Sequence, residues 1–500
     1  MKNKRKSGLL MHISSLPGPD GIGTFGQSTK QWIDAMEAAG QTLWQILPLG
    51  PTGYGNSPYA SWSAFAGNPL FIDLSFFDER VYDDEAFKNL PKDKVDYDRL
   101  TAIKIPLLKK FAEVFIRNEH NNRDYLEFKH IHRSWLNDYA LFYALKEHFD
   151  NKPFFEFPEA LRLREPAALH EYGTRLAGEI ENAKALQYIF FKQWNEIKVY
   201  AEQKGVKVMG DVPLYVAEDS ADVWSNPEIF ILDENRKPVQ VAGVPPDYFS
   251  KTGQLWGNPV YDWQKLEETG FRWWMDRMRM NFNMFDMLRI DHFRGLSEFW
   301  AVPHGSKTAE RGEWLPGPGD SFFYTLLNQI PNAEIIAEDL GLLTDDVIRL
   351  RDKFQFPGMK ILQFAFDTGP QNDFLPHNYV NNCVVYTGTH DNDTNIGWYK
   401  QADKKEQAYC KKYTGAEDSN LNQAFIRAAF ASVAHTVIIQ MQDVLELDSR
   451  HRMNTPGQLG GNWEWRMLPD AFNPKRKARL KDLTATFGRT PETEQQKSKY

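Results

Sequence analysis

Short apolar runs recur along the chain, separated by amphipathic or loop-like stretches. Eight stand out: GLLMHI (8–13), TLWQILPL (42–49), VKVMGDV (206–212), FDMLRID (285–291), AEIIAED (333–339), KILQFAF (360–366), CVVYTGTHD (383–391) and TVIIQMQDV (436–444). Their hydrophobicity is continuous rather than alternating. That pattern belongs to strands buried on both faces, as in parallel sheets. Helical patterns lie between several of them. NAKALQYIFFKQWNEIKVYAEQKG is one, predicted to stop at Gly205, a good C-terminal residue for a helix. FRWWMDRMRMNF (271–282) is a second, and a third is predicted to start after Thr344, where Asp345 and Asp346 suit a first turn.

Eight β-α units point to an α/β fold of the (β/α)8 barrel type. That fold typically takes about 250 residues, which leaves about half of this 500-residue chain for insertions. The expectation is a single catalytic barrel domain over 1–500. A mainly helical insertion at 70–185 would lie between strands 2 and 3. An insertion rich in Pro, Gly and aromatics at 213–270 would lie between strands 3 and 4. Both are read as subdomains built on loops at the C-terminal face.

Composition changes this picture little. The chain is 42% hydrophobic and 25% charged with a formal net charge of −8, so attraction to nucleic acid or anionic membrane is not expected. The 14% aromatic content, with 15 Trp, suits core packing and also suits a protein that stacks sugar rings or bases. Cys383 and Cys410 are the only cysteines, which argues against a disulfide framework and for a reducing compartment. The basic N-terminus is followed by LLMHI, too short for a signal-peptide core. AFIRAAFASVAHTVIIQM (424–441) carries Arg427 and His435 and reads as a helix running into a strand, not a membrane span. A cytoplasmic protein with no membrane or nucleic-acid partner is expected. KRKARLK (475–481) and NKRK (3–6) read as solvated faces, and neither cysteine is given a role.

The ends of the runs carry the chemistry. The third ends in Asp211, the fourth in Asp291, the fifth in Glu338 and the seventh in His390 and Asp391. In a barrel of this kind the C-terminal strand ends form the active-site rim, so four acids from four strands would converge there. An acid at a strand end is ordinarily a cap or an ion-pair partner. Four of them, with Arg289 and His390 interleaved, fit glycosidic-bond cleavage, which needs one protonated carboxyl and one carboxylate. Crowded acids keep their pKa values apart, and Arg289, on the strand face of Asp291, would keep that group ionised. Asp291 is thus the expected nucleophile and Glu338 the expected acid. A metal site is the competing reading of such a cluster, disfavoured because Arg289 would repel a cation.

At these residues the sequence resembles a known family. RIDHFRG (289–295), EDLG (338–341) and GTHDN (388–392) resemble three active-site motifs of the α-amylase clan. GLLMHISSLPGPDGIG (8–23), WQILPLGPTGYGNSPYASWSAFAGNP (44–69), GDVPLYVAEDSADVW (210–224), GVPPDYFSKTGQLWGNPVYDW (243–263) and GNWEWR (461–466) narrow the likeness to the 4-α-glucanotransferases, the amylomaltase or disproportionating enzymes of glycoside hydrolase family 77. The resemblance runs from about residue 7 to 470. It implies that Asp291 forms a covalent glucosyl intermediate, that Glu338 acts as acid and then base, and that Asp391 binds and distorts the donor sugar. Arg289 would orient Asp291. Asp211, His390 and His292 would lie around the donor, Tyr59 would stack on it, and Trp256 and Asn258 would contact glucan. Tyr248, Phe249 and Trp256 would make the segment 243–261 a mobile aromatic lid over the acceptor side, against the plainer reading of a packed surface loop. Tyr54 would offer a remote glucan contact and Asn462 a sugar contact, each weighed against a structural role.

The resemblance implies retaining transfer of an α-1,4-glucan segment to the 4-OH of another malto-oligosaccharide or of glucose. No cofactor and no metal are expected, since no cluster of oxygen ligands stands out apart from the catalytic acids. Starch or glycogen would be the polymeric partner. A retained intermediate can wait for a sugar, and a lid that excludes water favours transfer over hydrolysis. A hydrolase of the same clan shares the three acids, so those acids do not discriminate. The lid segment does, as does the lack of an obvious C-terminal β-sandwich. A non-catalytic glucan-binding protein would be expected to have lost one of the acids, and all three are present.

Overall fold

The computed structural model describes residues 5–77, 84–246, 250–341 and 343–490. Among these residues, twelve strands form two sheets: β1 (Lys6–Leu10), β2 (Leu43–Gln45), β3 (Lys207–Val212), β4 (Gln240–Val244), β5 (Gln254–Pro259), β6 (Met287–Ile290), β7 (Glu298–Pro303), β8 (Glu313–Pro316), β9 (Ile335–Ala337), β10 (Gly358–Ile361), β11 (Cys383–Tyr386) and β12 (Thr436–Gln440). Eight of them, in the order β10-β11-β12-β1-β2-β3-β6-β9, pair in parallel throughout. The two ends of this sheet meet where the Ala337 N–H donates to the Pro357 carbonyl at 3.0 Å. The result is a (β/α)8 barrel, and each of the eight apolar runs overlaps one of its strands.

Close packing decides some identities outright. Gly8 on β1 lies opposite Leu43 on β2, and a Cβ there would sit 2.2 Å from the Leu43 carbonyl oxygen. Only glycine lets these strands approach. Trp44 and Trp194 fill the core on one side of the barrel, and their indole N–H groups donate to the carbonyls of Met11 (2.7 Å) and Met284 (3.1 Å). The predicted helix before β3 runs Ala177–Gln203 and buries Ile189, Phe190, Trp194 and Ile197. It ends with Gly205 at φ +67°, and the Val206 N–H closes back on the Ala201 carbonyl at 2.9 Å.

Seven of the eight runs extend past the C-terminal end of their strand. The second strand stops at Gln45, before Pro48. The sixth stops at Ile361, where Leu362–Phe364 coils into a 3-10 turn. The seventh stops at Tyr386, so His390 and Asp391 lie on a loop beyond the strand. Leu47, Leu49 and Leu362 lie beyond their strand ends and are still buried.

The connection from β2 to β3 carries helices Tyr97–Glu119, Arg123–Ile131, Arg133–His148 and Pro166–Arg175. A buried Lys104–Asp20 ion pair (3.1 Å) ties the first of them to the N-terminal segment. The connection from β3 to β6 supplies β4 and β5. These join an antiparallel sheet, β5-β4-β7-β8, with the hairpin that follows β6. Two successive barrel connections thus share one small sheet beside the rim. Among the described residues, no helix is long and apolar enough to cross a membrane.

Candidate active site

Strand register sets the centre of the site. Asp211 on β3 lies directly opposite Arg289 on β6. Arg289 Nη1 donates to both oxygens of Asp211 (2.8 and 2.7 Å), and its Nη2 lies 2.9 Å from Asp291 Oδ1. One guanidinium therefore bridges two carboxylates from one strand pair. Burial would lower the Arg289 pKa, but Asp211 and Asp291 outweigh it and hold the group well above its ordinary value. Burial pushes Asp211 up while Arg289 pulls it down. The Tyr59 O–H donates to Asp211 Oδ2 at 2.8 Å. Burial, and then Asp211, keep that phenol protonated and able to donate. The Asp211 side chain is 0% exposed, against 30% for Asp291. In this conformation Asp211 holds Arg289 and Tyr59 and presents no surface of its own.

Glu338 follows β9 as Asp291 follows β6. The Glu338 N–H donates to the Ile290 carbonyl (3.1 Å), which seats the two acids on neighbouring strand ends. Between them His292 adopts a left-handed conformation, φ 49° and ψ 49°, which costs roughly 1–3 kcal/mol for a residue with a Cβ. That turn aims the His292 N–H at Glu338 Oε2 (2.7 Å), while the Leu340 N–H reaches Oε1 (3.2 Å). Glu338 has no side-chain cation within ion-pair distance among the described residues. Burial, with Asp291 adding, raises its pKa to about 7, against the pull of Arg289 and the His292 N–H. His292 is itself pushed down to about 4 by burial and is therefore a neutral ring. The Trp256 ring of β5 meets it edge-on at 4.7 Å.

The third acid sits on the loop after β11. Asn392 folds this loop by accepting from the Thr389 N–H (2.8 Å) and hydroxyl (2.9 Å). His390 Nε2 lies 3.2 Å from Asp391 Oδ2, and Asn454 Nδ2 donates to Asp391 Oδ1 at 2.6 Å. Arg452 Nη2 donates to the Asp391 carbonyl at 2.5 Å. Burial would raise Asp391, but the His390 charge, the bonds from His390 and Asn454, and Arg289 hold it well below the usual carboxylate range. Burial would lower His390, but Asp391 holds it up, so the two form an ion pair. The Tyr59 ring stacks on His390 at 5.1 Å, and Trp463 packs against both rings at 5.9 Å.

The structure thus gathers Tyr59, Asp211, Arg289, Asp291, His292, Glu338, His390 and Asp391 at one rim, with Trp256 against its edge. Trp256 is 39% exposed. Asn258 donates to the Val216 carbonyl at 2.8 Å and so anchors β5 to the loop after β3. Asn462 is given to its own loop: it accepts from the Thr455 N–H (2.9 Å) and donates to the Gln458 carbonyl (2.8 Å). Tyr54 opens the 3-10 turn Tyr54–Asn56, and its side chain is outside the described part of the structure. Tyr248 and Phe249 lie outside the described residues. Trp463, Asn454 and Arg452 went unread in the sequence. GNWEWR pointed to Asn462, next to Trp463, while HRMNTPG around Arg452 and Asn454 carries only a turn signal. Among the described residues, no group of three or more His, Cys, Asp or Glu is arranged to hold a metal ion.

The sequence model of the family described as 4-alpha-glucanotransferase matches residues 11–471. A 4-alpha-glucanotransferase of Streptococcus pneumoniae serotype 4 is 46% identical over 497 residues, covering 98% of each chain. One from Thermus thermophilus is 45% identical over 493 residues, covering 97% of this chain and 99% of its own. The solved amylomaltase from Streptococcus agalactiae in complex with acarbose superposes with a TM-score of 0.94 at 40% identity, over 98% of this chain and all of that one. The amylomaltase of Corynebacterium glutamicum, at 17% identity and a TM-score of 0.79, shares the fold.

Proposed function

The chain belongs to the 4-alpha-glucanotransferase family, and from that membership we propose how its rim carries out glucan transfer. The substrate is an α-1,4-linked malto-oligosaccharide, and the polymeric partners are starch or glycogen. Asp291 attacks the anomeric carbon with the oxygen that Arg289 does not hold. Glu338 gives its proton to the departing 4-oxygen, so the C1–O4 bond breaks as the C1–Asp291 bond forms. The shortened glucan leaves. The 4-OH of a second glucan, or of glucose, then attacks C1. Glu338 takes its proton, and Asp291 is released with the configuration at C1 retained.

Asp391 grips the hydroxyls of the donor sugar and helps distort that ring, with His390 and Tyr59 at its side. Asp211 acts by fixing Arg289 and Tyr59. Trp256 flanks the acceptor side, its ring edge-on to His292. The inserted segment 213–270, with Tyr248, Phe249 and Asn258, is read as a lid that keeps water from the intermediate. Tyr54 and Asn462 are the outer glucan contacts of this reading, although the Asn462 bonds favour a structural part. The observation that carries the proposal is the contrast between two neighbouring acids. Glu338 is kept a proton donor near neutrality, and Asp291 is tied to a buried guanidinium. Compartment enters the reading too: two buried, unpaired cysteines suit a cytoplasmic protein.

Incubation with pure maltotriose tests the assignment. Transfer gives glucose together with a ladder of longer oligosaccharides. Glucose and maltose alone would make the protein a hydrolase and overturn it.

A further inference from the structure

Asp391 is served by two segments. His390 comes from its own loop, but Asn454 reaches it from the segment after β12, 63 positions away in sequence. That segment is pinned on both sides of Asn454, on the far side by the Thr455 N–H, which donates to Asn462 Oδ1 at 2.9 Å. Arg452 donates to the Asp391 carbonyl (2.5 Å) and to the Asn454 carbonyl (2.6 Å), and the Trp463 N–H donates to the Met453 carbonyl (2.7 Å). Trp463 then lies beside Tyr59 and His390. The amide of Asn454 is therefore not a loose surface contact. It is delivered to Asp391 Oδ1 by a braced backbone, while His390 occupies Oδ2.

We propose that Asn454 is a positioning residue for the transfer reaction, which fixes the rotamer of Asp391 so that its carboxylate meets the donor-sugar hydroxyls as the ring distorts. This rests on the reading that Asp391 grips the donor. The physical case is one of rotation. A carboxylate held at one oxygen only can swing about its Cβ–Cγ bond, and 44% of the Asp391 side chain is exposed. Holding both oxygens leaves one orientation. Bonds that are oriented in advance and shorten in the transition state act on kcat more than on KM. A neutral amide donates here without adding charge, so the ion pair with His390 is undisturbed.

The charged and titratable groups facing Asp391 are His390, Arg289, Arg452 and Tyr59. None of them is an acid, and this makes Asn454→Asp informative. Two carboxyls in contact share one proton over a range of pH. While the proton is held, residue 454 still donates to Asp391. Once it is lost, two anions face each other. The test compares Asn454→Ala and Asn454→Asp with Asp391→Asn, using maltotriose from pH 4.5 to 8. Asn454→Ala is expected to lose about tenfold to hundredfold in kcat with KM within about threefold of wild type, the range for one lost charge-assisted bond. Asn454→Asp is expected to fall off at neutral pH and recover toward the wild-type rate as the pH drops. Wild-type kcat in Asn454→Ala, or an Asn454→Asp profile that parallels wild type, overturns the inference. If Asp391→Asn keeps full activity, it is the donor-grip reading itself that fails.

Discussion

If Glu338 supplies the proton for cleavage, kcat/KM for maltotriose must fall as Glu338 ionises, and the structure says where. Moving this carboxyl from 4.5 to about 7 costs its ionised form about 3 kcal/mol. At pH 7 about half of the molecules hold the proton, where an unperturbed carboxyl would hold it in about 0.3%. The basic limb is therefore expected near pH 7, falling about tenfold per unit above it. The limb can be attributed by moving it. Asp339, next in sequence, adds to the elevation of Glu338 and lies away from the rim, bonded to Arg351 (2.5 Å) and the Met359 N–H (2.7 Å). Asp339→Asn removes that negative charge and leaves Arg351 in place. The limb should move down by a few tenths of a unit to about one unit. The assay is the initial rate of glucose release from low maltotriose, pH 4.5 to 9, for both proteins. A limb near pH 5, a profile flat to pH 9, or a limb unmoved in Asp339→Asn would refute the assignment of the proton to Glu338.

Tyr59→Phe removes the 2.8 Å bond to Asp211 but keeps the ring on His390; kcat/KM for maltotriose should drop roughly fivefold to thirtyfold, and unchanged kinetics would show that the hydroxyl does not matter. Trp256→Leu opens the edge of the site beside His292; the fraction of turnovers ending in water rather than sugar, read as new reducing ends per glucose released, should rise, and an unchanged ratio counts against a water-excluding role for this ring. Asp443, buried behind the rim, accepts from the Thr387 hydroxyl and the Asn395 N–H (both 2.7 Å), and burial raises it to about 7. The folded chain keeps this proton at pH values where the unfolded chain releases it, so stability should fall as pH rises from about 4 to 7 and level off above. Asp443→Asn should remove about 2–3 kcal/mol of the fall between pH 5 and 7, measured by urea unfolding at each pH; an unchanged slope would mean that Asp443 is ionised throughout.

The barrel was legible because its strands are buried on both faces, and unbroken hydrophobicity needs no partner to be recognised. The acids were legible because a strand end is a definite place in this fold. What escaped has a physical pattern of its own. β7 and β8 are short and pair through residues such as Glu298, Glu313 and Trp314, and the sheet they join is completed by β4, which pairs with β7 from a different barrel connection. Asn454, Arg452 and Trp463 touch the site only because the chain returns after β12, and nothing local marks them. The polarity of CVVYTGTHD was read as a longer strand, whereas Thr389 and Asn392 form a turn that lifts His390 and Asp391 clear of the sheet. Asn462 was weighed as a sugar contact because a polar residue in an aromatic motif looks alike whether it faces a ligand or closes a loop.

Four carboxylates at one rim are chemically alike until their partners are counted, and the count sorts them. Asp211 receives two bonds from Arg289 and one from Tyr59 and has no exposed surface. Asp391 is pulled down by an imidazolium and an amide, so it stays an anion across the working range. Among the described residues the hydrogen bonds to Glu338 come from backbone N–H groups alone, which stabilise an anion too weakly to offset its burial, so it keeps a proton. Asp291 is left with one cation on one oxygen and open surface on the rest. The proposed nucleophile needs that combination, because a carboxylate wrapped on both oxygens is stabilised too well to attack. Arg289 therefore does more than neutralise charge. Its Nη1 satisfies Asp211 and its Nη2 spares half of Asp291, so on the proposed mechanism the side chain divides two equivalent acids into a structural one and a reactive one. Lysine, with one ammonium in place of a planar fork, could not make that division.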